Sequence, residues 1–525
     1  MNGAESLVHT LLEGGVDVCF TNPGTSEMHF VAALDRIEGM RCVLGLFEGV
    51  VTGAADGYYR IAGRPASTLL HLGPGLANGL ANLHNARKAR SGIVNIVGEH
   101  ASYHIELDAP LTADIEGLAR PMSAWVRTSR ASTAISADGA DAIVEANTPP
   151  GKIATLILPA DTAWNPADDG ARRAPGALAD RIAAARQACA PDPEAVRTAA
   201  QELRSGGRSL LLLGGVALQP QALEIAGRIA AATGCQLMSE FYTARLARGA
   251  GRVIAPRLPY AVDPAVKVLE SFDKVVLVGA KAPVAFFAYP DKPSLLAPPH
   301  ARMHTLAGFE DDLVAALQAL ADELGATALA PAGVAQRAVA SALPTGKLAP
   351  EGIAAVLTAL IPENAIVVDE AVTTGRSFGA PTAGAAPHDW LCGMGGSIGF
   401  ALPVAVGAAI AAPDRKVIAL EGDGSGMYTL QSLWTMAREG LDVTVVIFAN
   451  RSYQILRGEF AGVGAGAPGP RATDMLTLDR PDLDWVALAR GMGVEAVRVD
   501  DLSQFAAQLK RALAHQGPSL VEVVL

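Results

Sequence analysis

The stretch KVIALEGDGSGMYTLQSLWTMAREGLDVTVVIFANRSYQIL, residues 416–456, constrains the fold of this chain more than any other. An apolar run, Val417 to Leu420, breaks at Gly422-Asp423-Gly424. A segment of helical period follows, then a second apolar run, Val443 to Phe448, ending at Ala449-Asn450-Arg451-Ser452. This pattern predicts a strand, a helix and a strand, with polar residues at the carboxyl ends of both strands. In open parallel sheets that edge is where ligands bind. Asp423 and Asn450 stand 27 positions apart, the span of one crossover, so adjacent parallel strands would bring both to one edge. Two side-chain oxygens, a backbone carbonyl near Ser452 and diphosphate oxygens would give Mg²⁺ its octahedral oxygen set. Gly422 and Gly424 leave room for phosphate against the backbone, and the helix N-terminus beyond supplies free N–H groups. Gly-Asp-Gly after a strand also fits an ordinary tight turn; Asn450 and Ser452 at this spacing make the pattern specific.

The length, 525 residues, predicts roughly three domains. Half the residues are hydrophobic and 18% are charged, as in large α/β cores rather than disordered chains. A net charge of −11 argues against nucleic acid, which demands basic surface. It says little about a small acidic substrate, because one local arginine or metal overrides the global field. Five scattered cysteines without a CxxC pattern read as buried thiols in a reducing compartment. The N-terminus lacks the basic region of a signal peptide, and no apolar stretch approaches the ~18 residues of a membrane span. A cytoplasmic location, with no membrane partner, is expected.

Taken in order, residues 1–165 alternate helix and strand patterns. Strands are predicted at Val16 to Phe20, Met40 to Phe47, Ala66 to Leu72 and Ile93 to Val97. Asn22-Pro23-Gly24-Thr25-Ser26-Glu27 forms a turn, and Glu48 stands at a strand end before a small-residue helix. Residues 165–180 read as a linker. The middle third holds predicted strands at Ser209 to Leu213 and Val275 to Val278, with a helix from about Gln219 to Thr233 between them. Gly214-Gly215 lacks a full GxGxxG, so a dinucleotide site is weakly signalled there. A second connector runs from about Ala328 to Pro350. Strands are predicted at Ala365 to Asp369, Lys416 to Leu420, Val443 to Phe448, Glu495 to Val499 and Ser519 to Val524. The expected fold is α/β, three doubly wound parallel-sheet domains at 1–165, 185–328 and 350–525.

GDG, a spacer near 27 residues and Asn resemble the diphosphate and magnesium motif of thiamine diphosphate enzymes. The whole chain is similar to the family that includes acetolactate synthase, pyruvate decarboxylase, pyruvate oxidase and benzoylformate decarboxylase. The resemblance implies a pyrimidine-binding N-terminal domain, a central Rossmann-like domain and a diphosphate-binding C-terminal domain. It also implies homodimers or homotetramers with active sites at the subunit interface. Asp423, Asn450 and Ser452 would hold the metal; Gly422, Gly424, Ser425 and Tyr453 would join them around the diphosphate.

Glu48, in Leu46-Phe47-Glu48-Gly49-Val50, matches the family glutamate that hydrogen-bonds the pyrimidine N1′. Protonation there favours the 4′-imino tautomer, which takes the C2 proton to form the ylid; the cofactor carries the carbanion chemistry and the protein orients it. A helix-capping carboxylate is the competing structural role. Met394-Gly395-Gly396-Ser397-Ile398-Gly399-Phe400-Ala401-Leu402-Pro403 resembles the segment beneath the bent cofactor. Ile398 would wedge between the rings, and the Gly396 carbonyl would accept from the 4′-amino group; ordinary core packing is the alternative. Thr373 and Thr374, after the strand ending at Asp369, are candidates for diphosphate or substrate contacts. His71 sits where benzoylformate decarboxylase has an active-site histidine, and Thr25 where that enzyme has a substrate-binding serine. An imidazole at a strand end could serve as acid or base.

Two departures narrow the match. The benzoylformate enzymes carry a second histidine in the middle domain, and Ala282 to Pro290 here has none; Phe286, Phe287 and Tyr289 offer an apolar pocket or core packing instead. Ser271-Phe272-Asp273-Lys274-Val275 does not match the FAD-binding stretch of acetolactate synthases, so FAD is not expected. The activity expected first is non-oxidative decarboxylation of a 2-oxo acid through the ylid and an enamine, with carboligation as a side activity. Acetolactate-synthase-like carboligation and a cofactor-binding relative without turnover are the alternatives.

Overall fold

The computed structural model describes residues 1–167, 176–338 and 342–525. The predicted connectors, 165–180 and Ala328 to Pro350, lie partly outside them. Among the described residues seventeen strands form three sheets. The first contains β1 (Val18–Asn22), β2 (Arg41–Leu44), β3 (Ala66–Leu70), β4 (Ile93–Glu99), β5 (Trp125–Thr128) and β6 (Ile153–Pro159). Its order is β2-β1-β3-β4-β6-β5, all parallel. The second comprises β7 (Ser209–Leu213), β8 (Gln236–Ser239), β10 (Lys274–Val278) and β11 (Arg302–Ala307), ordered β11-β10-β7-β8 and again parallel.

The third sheet is built on β12 (Ile366–Asp369), β13 (His388–Cys392), β14 (Val417–Gly422), β15 (Val443–Ala449), β16 (Glu495–Val499) and β17 (Ser519–Val524). Its order is β16-β17-β15-β14-β12-β13, closed by β9 (Leu246–Arg248), which the middle third lends as an antiparallel edge. The architecture is thus α/β with three sheets dominated by parallel pairs, covered on their faces by helices. The buried strands are near-continuous apolar runs, as parallel sheets require.

Several local expectations are corrected: the strand expected over Ala66 to Leu72 ends at Leu70, with Leu72 opening the next helix, and Cys42 and Cys189 are exposed rather than buried. The strand expected over Met40 to Phe47 ends at Leu44, and Glu48 opens the Glu48–Ala62 helix, with extended Phe47 as its N-cap. Gly45 terminates the pairing, and a carboxylate in the first helical turn is favoured by the helix dipole.

The first and third sheets meet through two helices. Glu48–Ala62 packs against β1 and β3, Ala401–Ala411 packs against β12 and β14, and the two helices pack on each other. Their residues share one apolar core. The crossing is too tight for side chains. A Cβ on Gly57 would lie 2.1 Å from the Val404 carbonyl oxygen, and one on Gly407 would lie 1.8 Å from that of Ala54. A buried ion pair reinforces the junction. Arg60 donates to both carboxylate oxygens of Asp56 (2.8 and 2.6 Å) and also reaches the Cys392 carbonyl on β13 at 2.7 Å.

Gly407→Ala should therefore destabilise the protein by about 1–3 kcal/mol through overpacking. A denaturant midpoint lowered at unchanged slope would show it; an unchanged midpoint would mean the helices do not cross this closely.

Candidate active site

The carboxyl ends of β14 and β15 bring Asp423 and Asn450 together. Gly422 pairs with Phe448 across these strands, and the Asp423 carboxylate accepts the backbone N–H groups of Arg451 (2.7 Å) and Gly424 (3.0 Å). Asn450 Oδ1 accepts from Ser452 N–H at 2.9 Å, which folds the loop back on itself. Asp423 is 3% exposed, and burial pushes its carboxyl above the usual carboxylate range despite those donors. A buried carboxylate in that state is suited to a cation, so the donor set fits Mg²⁺ shared with phosphate oxygens. Among the described residues no group of three His, Cys, Asp or Glu side chains forms a complete metal cage.

The neighbours assigned to the same site have structural duties too. The Ser452 hydroxyl donates to the Leu476 carbonyl at 3.1 Å, and the Ser425 hydroxyl donates to Glu421. Tyr453 lies against Gly424, where a Cβ would come within 2.6 Å of its ring. Thr373 and Thr374 occupy the turn after β12, Thr374 buried and Thr373 half-buried.

The segment from Gly395 to Gly399 is a loop, with Gly396 at φ +70° and Gly399 at φ +90°, the left-handed region that suits glycine. Ile398 is 39% exposed and so is not a core residue. Phe286 of the middle third packs on Gly396, a Cβ on which would lie 2.6 Å from the ring. Phe286 and Phe287 are 42% and 53% exposed and meet edge to face, with Tyr242 and Tyr260 behind Phe286. Tyr289 instead donates to Glu459 at 2.8 Å. Glu370 anchors the far side of the loop, accepting from the N–H groups of Gly399, Phe400 and Ala401 at 2.8–2.9 Å. Burial raises both Glu370 and its neighbour Glu421 above ordinary glutamates.

The N-terminal candidates form one group. Glu48 Oε2 accepts from Asn78 at 3.0 Å, and a Cβ on Gly75 would lie 3.4 Å from both Glu48 Oε1 and His71 Cβ. His71 Nδ1 meets the Glu27 carboxylate at 2.7 Å; Glu27 also accepts from Gly24 N–H (2.7 Å) and the Ser26 hydroxyl (2.6 Å). Gly24 packs on the imidazole, and exposed Thr25 follows it in the chain. Leu72, directly after His71, is held at φ +49°, a strained conformation of the kind that clusters at functional sites.

Two features escaped the sequence reading. Glu27, whose carboxylate is wholly buried, orients His71. The Leu72–Ala89 helix brackets the site: Asn78 holds Glu48, and Asn82 donates to the carbonyls of Gly49 (2.8 Å) and Gly399 (3.3 Å). Asn85 exchanges bonds with both backbone groups of Ser397, and His84 reaches the Gly395 carbonyl at 3.1 Å. Three asparagines at i, i+4 and i+7 on a helix, where asparagine is a poor helix former, were the available signal.

With this geometry in hand, comparison with known proteins is informative. Residues 1–118 match the family model "Thiamine pyrophosphate enzyme, N-terminal TPP binding domain", and 379–523 match the corresponding C-terminal TPP binding domain. The chain is 51% identical over its whole length to a Mycobacterium tuberculosis protein named "Putative acetolactate synthase large subunit IlvX", covering 99% of it. It is 31% identical to the benzoylformate decarboxylase of Pseudomonas aeruginosa, over 97% of this chain and 96% of that one.

The chain belongs to the thiamine pyrophosphate enzymes.

Among solved structures of thiamine pyrophosphate enzymes, the Rhodococcus jostii RHA1 thiamine diphosphate-dependent 4-hydroxybenzoylformate decarboxylase superposes with a TM-score of 0.82. It is 25% identical, with 99% of this chain and 98% of that one covered. The family therefore spans decarboxylases and acetolactate synthases, and its two cofactor-binding domains are the two between which the helix crossing lies. No helix among the described residues is long and apolar enough to cross a membrane.

Asn82→Ala would leave the Gly49 and Gly399 carbonyls without their shared donor. A loss of about 1–3 kcal/mol in unfolding free energy is expected, read from denaturant midpoints; no loss would show that the bracket is dispensable.

Proposed function

We propose that this enzyme is a thiamine diphosphate- and Mg²⁺-dependent non-oxidative decarboxylase of 2-oxo acids with apolar or aromatic side chains, with carboligation as a side reaction. The observation that carries the reading is His71 held by buried Glu27 and placed near Glu48. With Nδ1 engaged by the carboxylate, Nε2 is the nitrogen left for a substrate, so the imidazole is fixed in orientation. Such a group suits proton delivery in aldehyde release. The exposed Phe286 and Phe287 beside Gly396 favour an apolar substrate side chain.

Bound thiamine diphosphate would supply a nucleophilic carbon and an electron sink for the electron pair left when CO₂ departs. The chain's own residues bind and orient it. Asp423 and Asn450 would hold Mg²⁺ with the Ser452 carbonyl; Gly422, Gly424, Ser425 and Tyr453 would border the diphosphate, with Thr373 and Thr374 on the facing turn. Ile398 would support the bend between the rings, the Gly396 carbonyl would accept from the amino group, and Glu48 would hold a proton at the pyrimidine nitrogen. Thr25 and His71 would contact the substrate. In the middle third, the Glu240 carboxylate lies against Gly214, an acceptor where a dinucleotide phosphate would need donors, in keeping with a reading that leaves FAD out. The resemblance to the family supports assembly as a homodimer or homotetramer.

The second reading, acetolactate-synthase-like carboligation, is favoured by the 51% identity to the mycobacterial protein. It shares every cofactor contact with the first and differs in whether a second 2-oxo acid or a proton is captured. Incubation with a panel of aliphatic and aromatic 2-oxo acids, pyruvate included, separates them. Aldehyde and CO₂ in equal amounts from an apolar member are expected; acetolactate from pyruvate, with no aldehyde from any member, would reverse the assignment.

A further inference from the structure

The ligand edge of the first sheet carries more acid–base groups than His71 and Glu48. Leu70 on β3 is level with Val97 on β4, so His71 stands level with Gly98, and Glu99 and His100 follow directly. Glu27 sits at this junction: a Cβ on Gly98 would strike its carboxylate, the one that holds His71 Nδ1. His100 and His71 thus rise from neighbouring strand ends around one buried carboxylate. The Glu99 side chain accepts from the His100 backbone N–H at 2.7 Å, and the His100 ring lies 5.3 Å, centroid to centroid, from that of His104. His100 Nε2 is buried and has no hydrogen-bond partner among the described residues. Burial, followed by the nearby His104 and His71, holds this imidazole below its ordinary value. His100 as a whole is half-buried, and shielded ring nitrogens are as a rule paired, so an unpaired Nε2 at this edge points to a partner other than the protein.

The chemistry of the proposed reaction asks for two proton-transfer groups. As the keto carbon becomes tetrahedral, its oxygen takes a proton. When the bond to the carboxylate breaks and CO₂ leaves, the electron pair stays with the former keto carbon, and that carbon must take a proton in its place. The oxygen then returns its proton as the aldehyde departs. In sum, a 2-oxo acid anion and one proton give an aldehyde and CO₂, the proton being replaced from water. Oxygen and carbon are different atoms, and a single fixed imidazole is poorly placed to serve both. The middle-third segment that packs on Gly396 through Phe286, Ala282 to Pro290, contains no histidine.

We propose that His100 is the second acid–base residue of this site, His71 serving the substrate oxygen and His100 the carbon that loses CO₂. The assignment rests on the decarboxylase reading above. It is tested with the full-length enzyme carrying thiamine diphosphate and Mg²⁺, as wild type and as His100→Gln. Aldehyde formation is measured first. CO₂ release is then measured with dichlorophenolindophenol, which takes the electron pair as two electrons in place of protonation at carbon, water then releasing that carbon as a carboxylic acid. His100→Gln should lower aldehyde formation by about 100-fold while leaving dye-coupled CO₂ release within about threefold of wild type. Aldehyde formation within about threefold of wild type would overturn the assignment, and so would an equal fall in both rates, which marks a structural residue. A wild type that forms acetolactate and no aldehyde removes the decarboxylase reading and the assignment together. An aldehyde-forming wild type with an unaffected variant removes His100 alone.

Discussion

The approach of two helices without side chains between them is the constraint on which the rest of the molecule depends. Gly57 faces the Val404 carbonyl and Gly407 faces that of Ala54, so the first and third sheets meet at backbone distance. Dispersion falls steeply with separation, and a single added methyl would force the helices apart. The site elements are laid out from this crossing. Glu48 starts one of the helices, and the Ile398 loop leads directly into the other. A shift at the crossing would therefore move the Glu48 carboxylate and the loop relative to each other.

A second layer of polar ties makes that layout specific. Asn82 donates to carbonyls on both sides of the crossing, Asn85 clasps Ser397, and Glu370 accepts three amides at the start of the Ala401–Ala411 helix. Each bond gives a backbone group of this packed region a side-chain partner, and the Gly399 carbonyl has a second donor in the Thr429 hydroxyl at 3.0 Å. The loop can thus stay rigid while leaving Ile398 uncovered. An apolar side chain held exposed on a bonded loop is what a wedge against a bound ligand needs.

Much of this was legible in the sequence. Ser209–Leu213, Glu495–Val499 and Ser519–Val524 form strands over the residues expected, the first from its run of leucines and the other two from valine-rich segments bounded by turn residues. Asp423 and Asn450 meet because a crossover of that length joins adjacent parallel strands. His388–Cys392 was missed: it begins His-Asp, and folding buries Asp389 with Arg245 and Arg415 and pairs His388 with the Ala386 carbonyl. Leu246–Arg248 was missed because three residues carry no period; it is a strand only by pairing with β13. The site was half legible for the same reason. Motifs at strand ends announce themselves, whereas Glu27, Asn82 and His100 acquire meaning only from the neighbours that folding gives them.

The central claim is that Glu48, fixed at the head of the crossing helix, governs the reactivity of the cofactor while Asp423 and Asn450 only anchor it. Proton–deuterium exchange at the thiazolium C2 of bound thiamine diphosphate, paired with calorimetric binding, tests this directly. Glu48→Gln should bind the cofactor within about tenfold of wild type and lose about 100-fold or more of the exchange rate, the range of general acid–base contributions. Exchange at the wild-type rate in Glu48→Gln would contradict the account.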